Sequence, residues 1–262
     1  WTGWSHVYVE HAQEVLDSIL MAYKIAEDPR VRIPMAVGYD GYVLSYTAEP
    51  VDIPDQALVD EWLPPNKAMP SIIPDEVDQS TFSRGWGGVD PQMPWKVHHD
   101  AINGIEAVMK ETMDSFEKTF GRRYGNGMIE EYKMEDATSA IVAQGTIAGT
   151  CKAAVDKMQA EGKKVGLIKL RSYMPFPDAD FQEWAKKLDG IAVVDRSICP
   201  GKGGPVYNKL RSSLYDMDEK PKMLQFHAGL GGKEVRVHDF EAIGDKILDY
   251  AKGGKADPVT WV

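Results

Sequence analysis

The sequence predicts an α/β protein built on a mostly parallel, open sheet, and three observations carry that reading. Ile141, Val142 and Ala143 form an apolar run without polar alternation, as expected of a strand covered on both faces. A helical pattern follows, with Ile147, Ala154, Val155 and Met158 at helical spacing between an N-cap at Thr146 and a stop at Gly162. Val165–Leu170 is then a second apolar run, so Ala140–Pro177 reads as a βαβ unit, whose crossover is right-handed in nearly all proteins.

The elements ahead of this unit are less regular. Val7 and Val9 suggest a short extended piece, and Ala12–Ala26 a helix with Val15, Ile19, Leu20, Ala22, Tyr23 and Ala26 on its apolar side, ended before Pro29. Ile33–Val37 is a short strand entering a turn at Asp40-Gly41. One helix and two strands cannot close a core unaided, so residues 1–50 read as the tail of an α/β domain. The unclosed core predicts missing upstream sequence or a tightly bound partner chain, and an opening on Trp1 rather than methionine also predicts an upstream segment.

Residues 51–96 carry Pro54, Pro64, Pro65, Pro70, Pro74, Pro91 and Pro94 with no sustained periodicity, and read as an interdomain linker. Trp62, Phe82, Trp86 and Trp95 within it predict that it lies against a neighbouring surface. Gly85, Gly87 and Gly88 around Trp86 allow a ligand-contacting loop as the minor reading. Residues 97–134 hold the longest helix, Val97–Phe120, and a turn at Gly121–Gly127. Its neighbouring His98 and His99 point about 100° apart and cannot chelate one metal together. The second domain spans 135–253. After the βαβ unit, the pattern predicts a helix from Asp178 to Leu188, a strand at Ile191–Val194, a helix from Gly203 to Tyr215, a strand at Met223–Phe226 and a last helix at Val237–Tyr250.

Composition excludes several functions. The formal charge of -10 opposes nonspecific binding to nucleic acid or an anionic membrane. No apolar run approaches the roughly 18 residues of a spanning helix, and no secretory pattern appears, so a cytoplasmic chain is expected. Its 2 cysteines, Cys151 and Cys199, are too few for an iron-sulfur cluster and read as buried small hydrophobes.

Chemistry-bearing motifs are sparse. The loop Pro200–Pro205 could hold an anion on backbone amides, but it lacks the full phosphate-loop spacing and reads first as a tight turn, as do Gly229, Gly231 and Gly232. Asp195 and Arg196 end the third strand, where ligand sites of open sheets gather, and read as a structural ion pair. His227 ends the fourth and reads as a core histidine satisfied by backbone. There is no GxSxG, HExxH or paired-cysteine motif.

Several segments together are more specific. FGRRYGNGMIEEYKMEDATSAIVAQGTIAGTCKAAVDKMQAEGKKVGLIKLRSYMPFP, VVDRSICPGKGGPVYNKLRSSLY and FHAGLGGKEV resemble the second domain of the alpha subunit of pyruvate:ferredoxin oxidoreductase and its 2-oxoacid relatives. YVEHAQEVLDSILMAYKIAEDPRVRIPMAVGYDGYVLSYTAEPVDIPD resembles the end of that subunit's first domain. The resemblance implies a sheet of transketolase C-terminal type, preceded by the tail of a thiamine-pyrophosphate-binding domain and the long linker. It implies oxidative decarboxylation of a 2-oxoacid, pyruvate being the commonest case, to acyl-CoA and CO2, with electrons passed to ferredoxin. Oxalate, another 2-oxoacid, or a noncatalytic scaffold role are the alternatives.

Thiamine pyrophosphate with Mg2+ would sit at the interface with a partner subunit, [4Fe-4S] clusters on partner subunits, and coenzyme A would be the co-substrate; none is expected to bind this chain alone. The expected partners are beta, gamma and delta-type subunits. In this family the substrate arginine precedes a Thr-Gly pair by two residues, so against Thr2-Gly3 it would fall just before Trp1. That places Trp1, Thr2, Gly3 and Trp4 as a loop shaping the substrate pocket, with Asp40, Gly41 and Tyr42 as secondary candidates. No catalytic residue and no metal ligand is assigned within the chain.

Overall fold

A computed structural model describes residues 2–66 and 92–262. Trp1 and most of the proline-rich stretch, including Phe82, Gly85, Trp86, Gly87 and Gly88, lie outside the described residues. The central layer is a six-stranded sheet of order β3-β5-β4-β7-β8-β9. Its strands are β3 (Ile129–Tyr132), β4 (Ser139–Ala143), β5 (Val165–Leu170), β7 (Gly190–Asp195), β8 (Lys222–His227) and β9 (Val259–Trp261). All neighbours pair in parallel except β3, which runs antiparallel to β5.

The βαβ reading holds: β4 and β5 flank the helix Ile147–Ala160 (α4), and β4, β5 and β7 are buried at every position. Such continuous burial explains their unalternating sequences. Helix α4 and the last helix, α7 (Val237–Ala251), cover one face over Ile141, Val155, Met158, Phe226 and Phe240. Helices α5 (Asp178–Ala185) and α6 (Pro205–Ser213) cover the other over Val142, Ile168, Phe181, Val193 and Leu210. Each such side chain, fully buried, contributes about 1.5–3 kcal/mol of transfer free energy.

A second sheet of three strands, β2-β1-β6, carries the front of the chain. Strands β1 (Ser5–Tyr8) and β2 (Met35–Gly38) pair in parallel, and β6 (Ser172–Met174) adds antiparallel to β1. Helix α1 (Ala12–Ala26) has the predicted bounds. The layer that the front segment lacked in the sequence is supplied by α3 (Met93–Phe120), whose Ile105, Met109, Met113 and Phe116 meet Val7, Met21, Ile25 and Ile33.

Several expectations are corrected. The 51–96 stretch is not irregular throughout: Asp55 accepts from the Ala57 N–H at 2.8 Å and starts a helix, α2 (Gln56–Trp62), and α3 begins inside the stretch at Met93. Trp62 is buried edge-on against Phe116 and Phe120, as the sequence implied, whereas Trp95 is 77% exposed. Strands β6 and β9 are additions, each of 3 residues, too short for a periodic signal. Cys151 is buried but Cys199 is exposed. No described helix is long and apolar enough to cross a membrane.

Candidate functional site

The carboxyl ends of β4 and β7 form the point where the strand order reverses, since β5 lies to one side of β4 and β7 to the other. Open α/β sheets leave a crevice there. Here the crevice is filled by the chain's own Asp40, from the turn after β2. Its Oδ2 accepts the Thr146 N–H at 2.9 Å and the Thr146 hydroxyl, and the Arg196 Nη1 lies 2.7 Å away. Arg196 also donates to the Thr146 hydroxyl at 3.1 Å. Thr146 therefore stands at the N-cap of α4, as its sequence position predicts, but spends its side chain on Asp40 rather than on the helix.

The expected Asp195–Arg196 pair does not form, because Asp195 is the last residue of β7 and Arg196 lies in the bend beyond it, and the two side chains turn to different partners. Arg196 turns to Asp40, whereas Asp195 turns to the N-terminus of α6. Its two oxygens accept the Val206 N–H at 2.9 Å and the Tyr207 N–H at 3.1 Å. The anion position of the Pro200–Pro205 loop is thus taken by an internal carboxylate, which favours the tight-turn reading. Gly204 is required there, because a Cβ on it would lie 1.9 Å from Asp195 Oδ2. Burial pushes the Asp195 carboxyl up to about 6 in spite of the two amide donors.

His227 is level with Asp195 in the parallel register. It is 2% exposed, its Nε2 lies 3.1 Å from Gln225 Nε2, and its Nδ1 has no hydrogen-bond partner among the described residues. The expectation of a core histidine is right in burial and wrong in satisfaction: its neighbours are Gln225 and the Trp261 ring, 4.7 Å away, rather than backbone carbonyls. Burial lowers its pKa.

A second polar assembly joins α1 to the large sheet. Lys169, on β5, is fully buried and donates to Glu14 at 2.7 Å, Glu10 at 2.8 Å and Glu130 at 3.0 Å. Arg171 donates from Nε to Glu14 at 2.6 Å, from Nη2 to Ser18 and from Nη1 to the Gly127 carbonyl. Burial by itself would raise the Glu14 pKa, but Arg171 and Lys169 overcome it and hold it at about 2. The sequence reading missed this cluster. The signal was two basic residues, Lys169 and Arg171, at the end of an apolar run, where a charge demands a buried partner.

The predicted pocket residues fall into two places. Thr2–Trp4 precede β1 and Asp40–Tyr42 follow β2, and these strands are parallel with Ser5 opposite Met35 and Tyr8 opposite Gly38. Trp4 is thus level with Pro34, so at about 3.3 Å per residue the two sets sit at opposite ends of the sheet, roughly 20 Å apart, and do not line one small pocket. The carbonyl of Gly3, a residue at φ +79°, accepts a hydrogen bond from His98 Nε2 at 2.8 Å. A Cβ on Gly3 would lie 2.4 Å from that nitrogen. Trp4 is 48% and Tyr42 80% exposed, and Thr2 and Gly41 are also exposed. Each set is one open wall, and among the described residues no group of three or more His, Cys, Asp or Glu is placed to hold a metal ion.

Comparison with known proteins gives two family matches. Residues 1–143 match the family described as "Pyruvate flavodoxin/ferredoxin oxidoreductase, thiamine diP-bdg", and residues 137–240 match "Pyruvate:ferredoxin oxidoreductase core domain II". The whole chain is 38% identical to pyruvate synthase subunit PorA of Pyrococcus abyssi, covering 66% of that relative, and 39% identical to that of Pyrococcus furiosus, covering 65%. Ketoisovalerate oxidoreductase subunit VorA of Pyrococcus horikoshii is 36% identical over 98% of the chain and 64% of its own length. The chain thus spans just under two thirds of these relatives. A solved 2-oxoglutarate:ferredoxin oxidoreductase from Magnetococcus marinus covers 94% of the chain with a TM-score of 0.54 at 15% identity, a likeness of fold, and the chain covers 42% of it.

Proposed function

Since the chain belongs to the family of 2-oxoacid:ferredoxin oxidoreductase alpha subunits, we propose that it works as part of a thiamine-dependent enzyme that oxidatively decarboxylates a 2-oxoacid, pyruvate in the first instance, to acyl-CoA and CO2. The observation that carries this reading is the end-to-end similarity to pyruvate synthase subunits at 38–39% identity. The similarity to a ketoisovalerate oxidoreductase subunit at 36% supports branched 2-oxoacids as the second reading.

Within that reading residues 1–50 are the end of the thiamine-contacting domain, 51–96 its connection, 97–134 the joining helix and turn, and 135–253 the second domain. Thiamine pyrophosphate supplies the carbanion chemistry when bound. Among the described residues, Thr2, Trp4, Gly41 and Tyr42 are exposed on two open walls, and Asp40 is engaged by Arg196, so a partner subunit would supply the rest of the cradle. Trp1, Thr2, Gly3 and Trp4 would form one wall of the 2-oxoacid pocket, with Gly3 positioned by His98. The Asp40–Gly41–Tyr42 turn is the other candidate wall. Mg2+, the [4Fe-4S] clusters and the remaining pocket groups belong to beta, gamma and delta-type partner subunits, with coenzyme A as co-substrate, ferredoxin as acceptor and the cytoplasm as location.

The test is viologen reduction by the purified native complex with coenzyme A and a panel of pyruvate, ketoisovalerate, 2-oxoglutarate and oxalate. Turnover with pyruvate, absent for this chain in isolation, is expected. Failure with every member of the panel, or turnover by this chain alone, would overturn the reading. Trp4→Ala and Tyr42→Ala separate the two walls, because truncating a side chain that touches substrate should raise KM by roughly tenfold, equivalent to about 1.4 kcal/mol. An unchanged KM in Trp4→Ala removes the Thr2–Trp4 wall.

A further inference from the structure

A cleft of about 760 Å³ opens between α3, the segment from Met174 through the start of α5, and α6. Its size lies within the range of small-molecule sites. Met174, Pro175, Phe176 and Ala179 give it an apolar lining, and Asn103, Gln182 and Ser213 add amide and hydroxyl groups. The Ser213 hydroxyl is buried with no hydrogen-bond partner among the described residues, the kind of group that calls for a ligand or an ordered water.

The cleft also contains one cation. Lys209 donates to the Tyr173 carbonyl at 2.8 Å and lies 3.9 Å from Met174 Sδ, with its ammonium 4.1 Å from the Tyr173 ring centre and 5.6 Å from that of Phe176. No carboxylate among the described residues pairs with it, whereas the nearby Lys110 is paired with Glu106 and Asp180. An ammonium has three donors, and one carbonyl with one weak sulfur acceptor leaves at least one unused. Burial pushes the amine down to about 8, with Asp178 acting the other way. An anion bound beside it would raise the amine again.

We infer that this cleft is a binding site for a small amphiphilic monocarboxylate, its head on Lys209 and its apolar body along Met174, Pro175 and Phe176. The charge balance selects the class. Glu106 is neutralised by Lys110, but Asp178 stands at the same cleft, so a doubly charged phosphate would meet about twice the repulsion that a singly charged carboxylate meets, and a single carboxylate matches the single ammonium without an ion pair. The apolar lining requires an apolar body to displace its water. The site stands on the cleft's own chemistry and does not depend on the oxidoreductase reading.

Lysine labelling by acetic anhydride in the native assembly, read by peptide mass spectrometry, tests it. Hexanoate, its neutral counterpart hexanamide, and inorganic phosphate are the probes, with exposed Lys202 and Lys220 as internal references. Millimolar hexanoate should slow labelling of Lys209 by about fivefold, as expected at a concentration of roughly four times Kd. The reference lysines should not change, and hexanamide and phosphate should each have less than about a twofold effect, being short of one complementary part. In Lys209→Met the stabilisation of Tm by hexanoate should vanish. Equal protection by hexanamide, protection by phosphate alone (an adventitious ion only), or none by hexanoate each overturns the inference. The labelling arm uses the unmodified protein and is decisive even where the variant fails to fold.

Discussion

Asp195 and Glu14 are both buried carboxylates with opposite titration behaviour. Asp195 faces only neutral amide donors, so burial wins and its proton is held up to about 6, against an ordinary 3.8. A raised carboxyl pKa means that the native state takes up a proton before the unfolded chain does. The resulting stabilisation is complete below about 3.8 and is lost as pH rises through 6. Asp195→Asn should therefore abolish the difference in urea midpoint between pH 4 and pH 6.5 that this group contributes, read as wild type minus variant across the range. A wild-type-minus-variant difference that stays flat over that interval would contradict the assignment. Glu14 meets two cations, so its proton is held down to about 2. Its contribution is complete above its ordinary 4.5 and is lost as pH falls towards 2. Residue identity alone does not separate these cases, because the difference lies in the partners that folding brings.

At the level of elements, helix length decided what was legible. The strands β4 and β5 and the helices α1 and α4 were read from the sequence with bounds at or near those observed, because 14 or 15 residues of apolar periodicity or an unbroken buried run leaves little choice. Helix α2 has 7 residues, about two turns, and gave no periodic signal. Its Trp62 is nevertheless a principal anchor of the α3 layer, ringed by Phe116 at 5.3 Å and Phe120 at 5.4 Å, with its indole N–H on the Ser115 hydroxyl at 3.1 Å. Trp62→Ala should cost about 3–5 kcal/mol in equilibrium denaturation, the usual range for emptying a buried aromatic site. A loss below about 1 kcal/mol would mean that α2 merely rests on the surface.

Across the whole molecule, the two sheets are tied by charge as well as by apolar packing. Glu14 on α1 reaches Lys169 and Arg171 at the end of β5, and Asp40 after β2 reaches Arg196 after β7. A buried pair adds little over a well-packed apolar substitute, but removing one partner strands the others. Glu14→Gln would leave Lys169 and Arg171 sharing fewer anionic oxygens in a fully buried site, with an expected loss of about 3–5 kcal/mol at pH 7 in urea unfolding. A change below about 1 kcal/mol would show that Glu10 and Glu130 suffice to hold Lys169.

What the amino-acid order determined by itself was the architecture of the second domain and the family. Continuous apolar strands separated by amphipathic helices admit essentially one arrangement, a parallel sheet covered on both faces, because each apolar face must be buried. Only the tertiary structure decided the fate of the polar residues. It sent Asp195 and Arg196 apart, seated Asp40 in the crevice of a distant sheet, buried Lys169 among three glutamates, and placed Thr2–Trp4 and Asp40–Tyr42 at opposite ends of one small sheet. Hydrophobic burial is non-directional and leaves a periodic trace along the chain, whereas hydrogen bonds and ion pairs depend on distances between residues far apart in sequence, which no local pattern records.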